Sequence, residues 1–151
     1  MKHLLATAIC LLFVITSQAQ TSAAALLGKW ETSALRDVSI IDGKKTTEEH
    51  SFEGERIYNF TSDKLCYITT AYTDVAHPHK YVIEGNKVYF TMEPAHLAKL
   101  MKDDAEYGIE LEPTEFEFNV DTAKKKLYLT RTSVDADKNT YQSVFIFKKK
   151  K

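Results

Sequence analysis

Cysteine, proline and glycine are all scarce in this sequence, with two, three and five copies in 151 residues. Cys10 lies in a segment that we expect to be removed, which leaves Cys66 without an intramolecular partner. The domain must therefore be held together by its core, without a disulfide. The few glycines form no phosphate-cradling loop, and neither a nucleophile-elbow motif nor a metalloprotease motif occurs. From these absences we expect no catalytic residue, no enzymatic activity and no cofactor.

An excess of charge of one sign is also absent, because the formal net charge is −1 at pH 7. Domains that bind nucleic acid usually carry a basic patch on a basic chain, so no nucleic-acid partner is expected. The short lysine runs at 124–126 and 148–151 are interpreted as a solvated turn and a solvated end. Composition indicates no particular protein partner.

A long apolar run occurs once, near the N-terminus. Leu4–Thr16 is uncharged, follows a basic start and precedes Ser-Gln-Ala at 17–19, where signal peptidase reads small residues. The run is too short to span roughly 30 Å of hydrocarbon as a helix. The pattern predicts a signal peptide over residues 1–19 and an exported protein, periplasmic or extracellular, without a transmembrane segment. Ile9 stands where a lipoprotein needs a small residue before its cysteine, so no lipid anchor is expected.

The rest of the chain is interpreted as one domain at 26–148, preceded by a flexible lead-in at 20–25 and followed by a basic tail at 149–151. Apolar and polar residues alternate with a period of two in several stretches, which marks strands with one buried face. Turn pairs such as Asp42-Gly43 separate these stretches. Pro94, followed by apolar residues at helical spacing, predicts one short helix. The alternating stretches are 88–92, 116–120, 127–132 and 141–147.

The predicted fold class is therefore all-β, an antiparallel meander of eight to ten strands that folds as a sandwich or a barrel. The domain opens with a Gly-x-Trp, Gly28 to Trp30, just after the signal. This resembles the opening motif of the lipocalins and their bacterial lipocalin-like relatives. The hairpin at 81–88 and the last strand at 141–148 are similar in layout. The resemblance implies a small exported lipocalin-like protein with a calycin-type barrel, closed at one end around Gly28 and Trp30.

In lipocalins an arginine from a late strand packs across that tryptophan, and Arg131 is the candidate in this chain. It shares a strand face with Leu129, which we expect to be buried. The resemblance therefore implies that Arg131 stacks on Trp30 through cation–π attraction and helps to close the barrel. The alternative turns the even-numbered side chains of 128–132 inward and leaves Arg131 in solvent.

The same resemblance implies non-enzymatic binding of a small apolar or amphipathic molecule inside the barrel. The interior of a small barrel is either filled by side chains or left open for one small ligand. Small residues near one mouth would leave a pocket among the aromatic rings. The alternative is a packed barrel that binds a protein or a cell-envelope component through its surface. The ligand-binding residues predicted for the first case are Tyr67, Thr69, Ala71, Phe90, Phe116 and Phe118.

His77 and His79 have a spacing that places two strand residues on one face, as a metal site requires. Pro78 between them favours a loop, and no third ligand follows nearby in the sequence. No metal site is therefore predicted. A metal site would require the fold to bring His50 or His96 close to His77 and His79.

Overall fold

The computed structural model of the protein describes residues 23–71, 73–92, 94–96, 98 and 114–151. The predicted signal peptide lies outside this part of the chain, as does most of the predicted helix after Pro94. Residues 94–96 and 98 are helical. Residues 23–26 also form a helical turn, where a flexible lead-in was expected. No helix within the described residues is long and apolar enough to cross a membrane.

Nine β-strands make up the described fold. Their bounds are β1 (Gly28–Ile41), β2 (Lys44–Ser51), β3 (Arg56–Phe60), β4 (Leu65–Thr70), β5 (Thr73–Glu84), β6 (Lys87–Met92), β7 (Thr114–Asp121), β8 (Lys126–Val134) and β9 (Thr140–Lys149).

These strands form a single antiparallel sheet that closes on itself. The order is β2-β1-β3-β4-β5-β6-β7-β8-β9, and β1 also pairs with β9. Along its other edge β1 pairs with β3 over residues 28–31 and with β2 over residues 34–41. Eight strands thereby form a barrel, and β2 extends beyond it as an extra strand. An eight-stranded up-and-down barrel is the lipocalin architecture, so the predicted fold class is confirmed.

A tight hairpin joins β1 to β2. Asp42 and Gly43 have φ angles of 51° and 76°, and two positive φ values in succession are what a type I′ turn requires. Ile41 consequently pairs with Lys44, and the two strands continue in register from the turn.

The core is built largely from aromatic rings. Tyr58 and Phe147 meet edge to face at 4.9 Å between centroids, and Phe60 and Tyr81 do so at 5.2 Å. Such edge-on pairs add to the stabilisation from buried area. Cys66 is buried among them, and burial raises the pKa of its thiol. The thiol therefore stays protonated and acts as a small apolar side chain.

Candidate ligand-binding site

One end of the barrel is sealed around Trp30, which is 1% exposed. Its indole Nε1 donates a hydrogen bond to the Leu26 carbonyl at 2.6 Å. The Lys149 ammonium lies 4.4 Å from the ring centroid and donates to the Leu27 carbonyl at 2.5 Å. Burial lowers the pKa of Lys149. Gly28 has a φ of 104°, a backbone conformation that glycine adopts without the strain a side chain would bring.

Arg131 does not contribute to the sealed end, which corrects the expected stack on Trp30. Along β9, Trp30 pairs with Lys149, whereas Arg131 pairs with Ser143. Those two partners are six positions apart on β9, a separation of about 20 Å at about 3.3 Å per residue. The register therefore assigns the cation over the indole to Lys149 and places Arg131 towards the other end.

At that other end the barrel contains a cavity of about 320 Å³. This volume lies at the lower end of the range for small-molecule pockets, about 300–1,000 Å³. The walls divide into an apolar floor and a polar rim. Among the described residues, the floor is lined by Tyr58, Ile68, Phe90, Phe116 and Phe145. The described residues of the rim are Arg56, His79, Thr114, Arg131 and Ser143.

Two of the six predicted ligand-binding residues, Phe90 and Phe116, line this cavity. They come from β6 and β7, and in β7 the alternation of apolar and polar residues identifies the inward face from the sequence alone. Phe118 lies on the same face of β7, is 7% exposed and belongs to the packed core without lining the cavity.

Tyr67, Thr69 and Ala71 lie elsewhere, which corrects the expectation that they contact a ligand. Tyr58 in the core pairs with Ile68 across β3 and β4, and paired residues share a face of the sheet. Ile68 therefore points inward, while Tyr67 and Thr69 on either side point outward. Ala71 is exposed in the turn that follows β4. The sequence misled here because β4 carries β-forming residues on both faces.

The polar residues of the rim were not predicted from the sequence as ligand-binding residues. One of them, Arg56, lies in a sequence pattern that could have identified it. Arg56 alternates with Tyr58 and Phe60 in β3, so all three share one face. An arginine in phase with two aromatic residues indicates a charge that points towards the interior. Thr114 and Ser143 carry no such signal, because short polar residues occur on either face of a strand.

Arg56 lies against the aromatic floor. Its guanidinium carbon is 5.6 Å from the centroid of Phe145, within the range of cation–π attraction. Burial raises the pKa of the Tyr58 hydroxyl, and the positive charge of Arg56 opposes that rise. Tyr58 is therefore neutral near pH 7, and the positive charge on this side of the cavity comes from the guanidinium.

Three histidines lie near one another on β5 and in the helical segment after Pro94. His77 Nδ1 and His96 Nε2 are 2.8 Å apart, and His79 Nδ1 donates to the His77 carbonyl at 3.0 Å. Burial lowers the pKa of His77 and of His79, and in both cases neighbouring histidines lower it further. Both rings are consequently neutral near pH 7. In the part of the chain that the structure describes, no group of three or more metal-ligating side chains could hold a metal ion.

Comparison with protein-family models finds no match, and no curated protein matches the chain at a significant level. Solved structures do match, among them a lipocalin-like protein from Bacteroides uniformis. That protein is 17% identical, with a TM-score of 0.47, and the match covers 83% of this chain and 99% of the other. By its own strand order and its β1–β9 closure, this chain has a lipocalin-like fold.

Proposed function

We propose that this chain is an exported lipocalin-like protein that binds one small amphipathic molecule in the open end of its barrel. The observation that carries the proposal is the cavity of about 320 Å³ with its apolar floor and polar rim. Pockets that combine apolar walls with placed polar groups are the usual form of small-molecule sites, and half of the described lining residues in this cavity are polar. The aromatic floor would cover an alkyl chain or a ring, and the rim would hold a polar group next to water.

The alternative is a barrel whose interior is filled with side chains along its whole length. Only the sealed end has such an interior. There Trp30, Phe60 and Phe147 are almost fully buried. At the open end the side chains leave space that they do not fill. The division into a packed end and an open end favours binding inside the barrel over a packed barrel that binds a protein or a cell-envelope component through its surface.

The proposal is tested by ligand titration of the purified protein. A neutral apolar dye such as N-phenylnaphthylamine is expected to bind saturably at one site, with a rise in its fluorescence as it leaves water. Decanol, which has an apolar chain and one polar group, is expected to displace it. Unfolded protein in urea serves as the control and should show no saturable signal. The absence of saturable binding by the dye and by a panel of small amphiphiles would refute the proposal.

Export is proposed from the N-terminal pattern alone. In the native host the mature protein is expected to begin near Gln20, as read by N-terminal sequencing or intact mass. Leu12→Arg places a charge in the apolar run and is expected to leave residues 1–19 attached. Finding Met1 on the mature wild-type protein would contradict export by this route.

A further inference from the structure

The rim of the cavity carries two positive charges that form no ion pair with another described residue. Arg56 and Arg131 both line it, and the ion pairs among the described residues involve neither of them. We infer that the ligand of this cavity is an anionic amphiphile, whose oxyanion group binds between Arg56 and Arg131 and whose apolar body lies on the aromatic floor. This inference rests on the proposed function, because it names the ligand class of the same cavity.

Both arginines are next to the same part of β9. Arg56 lies over the ring of Phe145. Arg131 pairs with Ser143, which is two positions from Phe145 and therefore on the same inward face. The two arginines come from β3 and β8, which are separated by β1 and β9 in the closed barrel. A ligand group in the rim would thus lie between guanidiniums from two different strands.

None of the described residues that line the cavity is acidic. Asp37 pairs with Ser143 across β1 and β9 and accepts a hydrogen bond from its hydroxyl at 2.7 Å. Glu48 pairs with Asp37 from β2, and its carboxylate lies 3.8 Å from His50. Neither acid is among the described lining residues, although the Asp37 carboxylate lies beside the Ser143 hydroxyl at the rim. Two guanidiniums therefore face this one neighbouring carboxylate among the described residues. His79, which also lies in the described rim, is neutral near pH 7 because burial lowers its pKa.

The chemistry of the rim therefore discriminates among amphiphiles by charge. Guanidiniums bind oxyanions through parallel, charge-assisted hydrogen bonds. Arg56 is half-buried, and a charge held partly out of water gains most from a partner of opposite sign. An alcohol offers the two arginines a weaker acceptor, and an ammonium would be repelled by both.

The test compares amphiphiles that share a ten-carbon chain and differ in the head group. Decanoate, decyl phosphate, decanol and decylammonium are titrated at pH 7.5 by calorimetry or by displacement of the neutral dye. At least one of the two anions is expected to bind about tenfold or more tightly than decanol. The stronger of the two then shows whether the site prefers a carboxylate or a phosphate. Arg131→Gln and Arg56→Gln are each expected to weaken the anion about tenfold and to change decanol little.

Two further variants test whether the effect depends on the position and the sign of the charge. Lys45→Gln removes the same charge from an exposed position on β2 and is expected to change neither affinity. Arg131→Glu is expected to invert the preference, so that decylammonium binds better than decanoate. Arg131 is exposed, so its variants test the site even if Arg56→Gln fails to fold.

Equal binding of decanol and both anions would overturn the inference and leave the proposed cavity function standing. So would arginine variants that behave like Lys45→Gln. Failure of all four amphiphiles and of the dye would overturn the proposed function itself.

Discussion

Trp30→Ala is expected to destabilise the domain by about 3–5 kcal/mol, the range for truncating a fully buried large aromatic side chain. The ring is 1% exposed, and its removal opens a hole at the sealed end of the barrel. The Leu26 carbonyl also loses its indole donor, and the Lys149 ammonium loses the ring beneath it. The loss is a large share of the roughly 5–15 kcal/mol that holds a typical domain folded.

The measurement is urea denaturation followed by far-ultraviolet circular dichroism, since the variant lacks the tryptophan that fluorescence would report. Arg131→Ala is the control and is expected to stay within about 0.5 kcal/mol of wild type, because its side chain is exposed at the other end. A cycle that combines Trp30→Ala with Lys149→Ala should show non-additive effects, as expected for residues in contact. A coupling of Trp30 to Arg131, with none to Lys149, would contradict the described sealed end.

Ser143→Phe is expected to abolish binding of small amphiphiles in the cavity, or to weaken it by about tenfold or more. Ser143 lines the cavity at its rim, so a benzyl group on this position enters the space that a ligand would fill. The variant also removes the hydroxyl that donates to Asp37 at 2.7 Å. The cost of that loss is expected to be about 0.5–1.5 kcal/mol, so the domain should remain folded.

Gln142→Phe is the matched control, because residue 142 is the next position on β9 and faces the opposite side of the strand. It adds the same ring to the outside of the barrel. Dye titration of the two variants, with their unfolding midpoints measured in parallel, distinguishes a blocked cavity from an unfolded protein. Saturable binding to folded Ser143→Phe with unchanged affinity would place the ligand outside this cavity.

Local pattern in the sequence was sufficient for most of the strands and for part of the cavity, although Pro78, which favours a loop, lies within β5. In β7 large apolar residues occupy every second position, so Phe116 was assigned to the interior correctly. Phe90 also lies inside, although large residues occur on both faces of β6. The turn at Asp42-Gly43 was readable because the pair tolerates the positive φ angles that the hairpin needs. These features depend on neighbours within a few residues, and the sequence displays such neighbours directly.

The faces of β4 were not determined in this way. Its residues from Leu65 to Thr70 favour β-structure on both sides, and no charged residue marks the outer face. The pairing of β4 with β3 determines which face of β4 points inward. Tyr58 lies in the core and pairs with Ile68, so Ile68 points inward and Tyr67 points outward. The contact between the strands supplies the information that the alternation lacks.

By itself the sequence determined an all-β meander, its turns and a tryptophan near the start of the domain. Only the tertiary structure decided which cation covers that tryptophan, where Arg131 lies and whether the interior is open. The physical reason is that these properties depend on the register between distant strands. Closure of β1 onto β9 places Lys149 beside Trp30 and sends Arg131 to the far end. The cavity is the volume left between side chains of several strands, and no single stretch of the chain encodes such a volume.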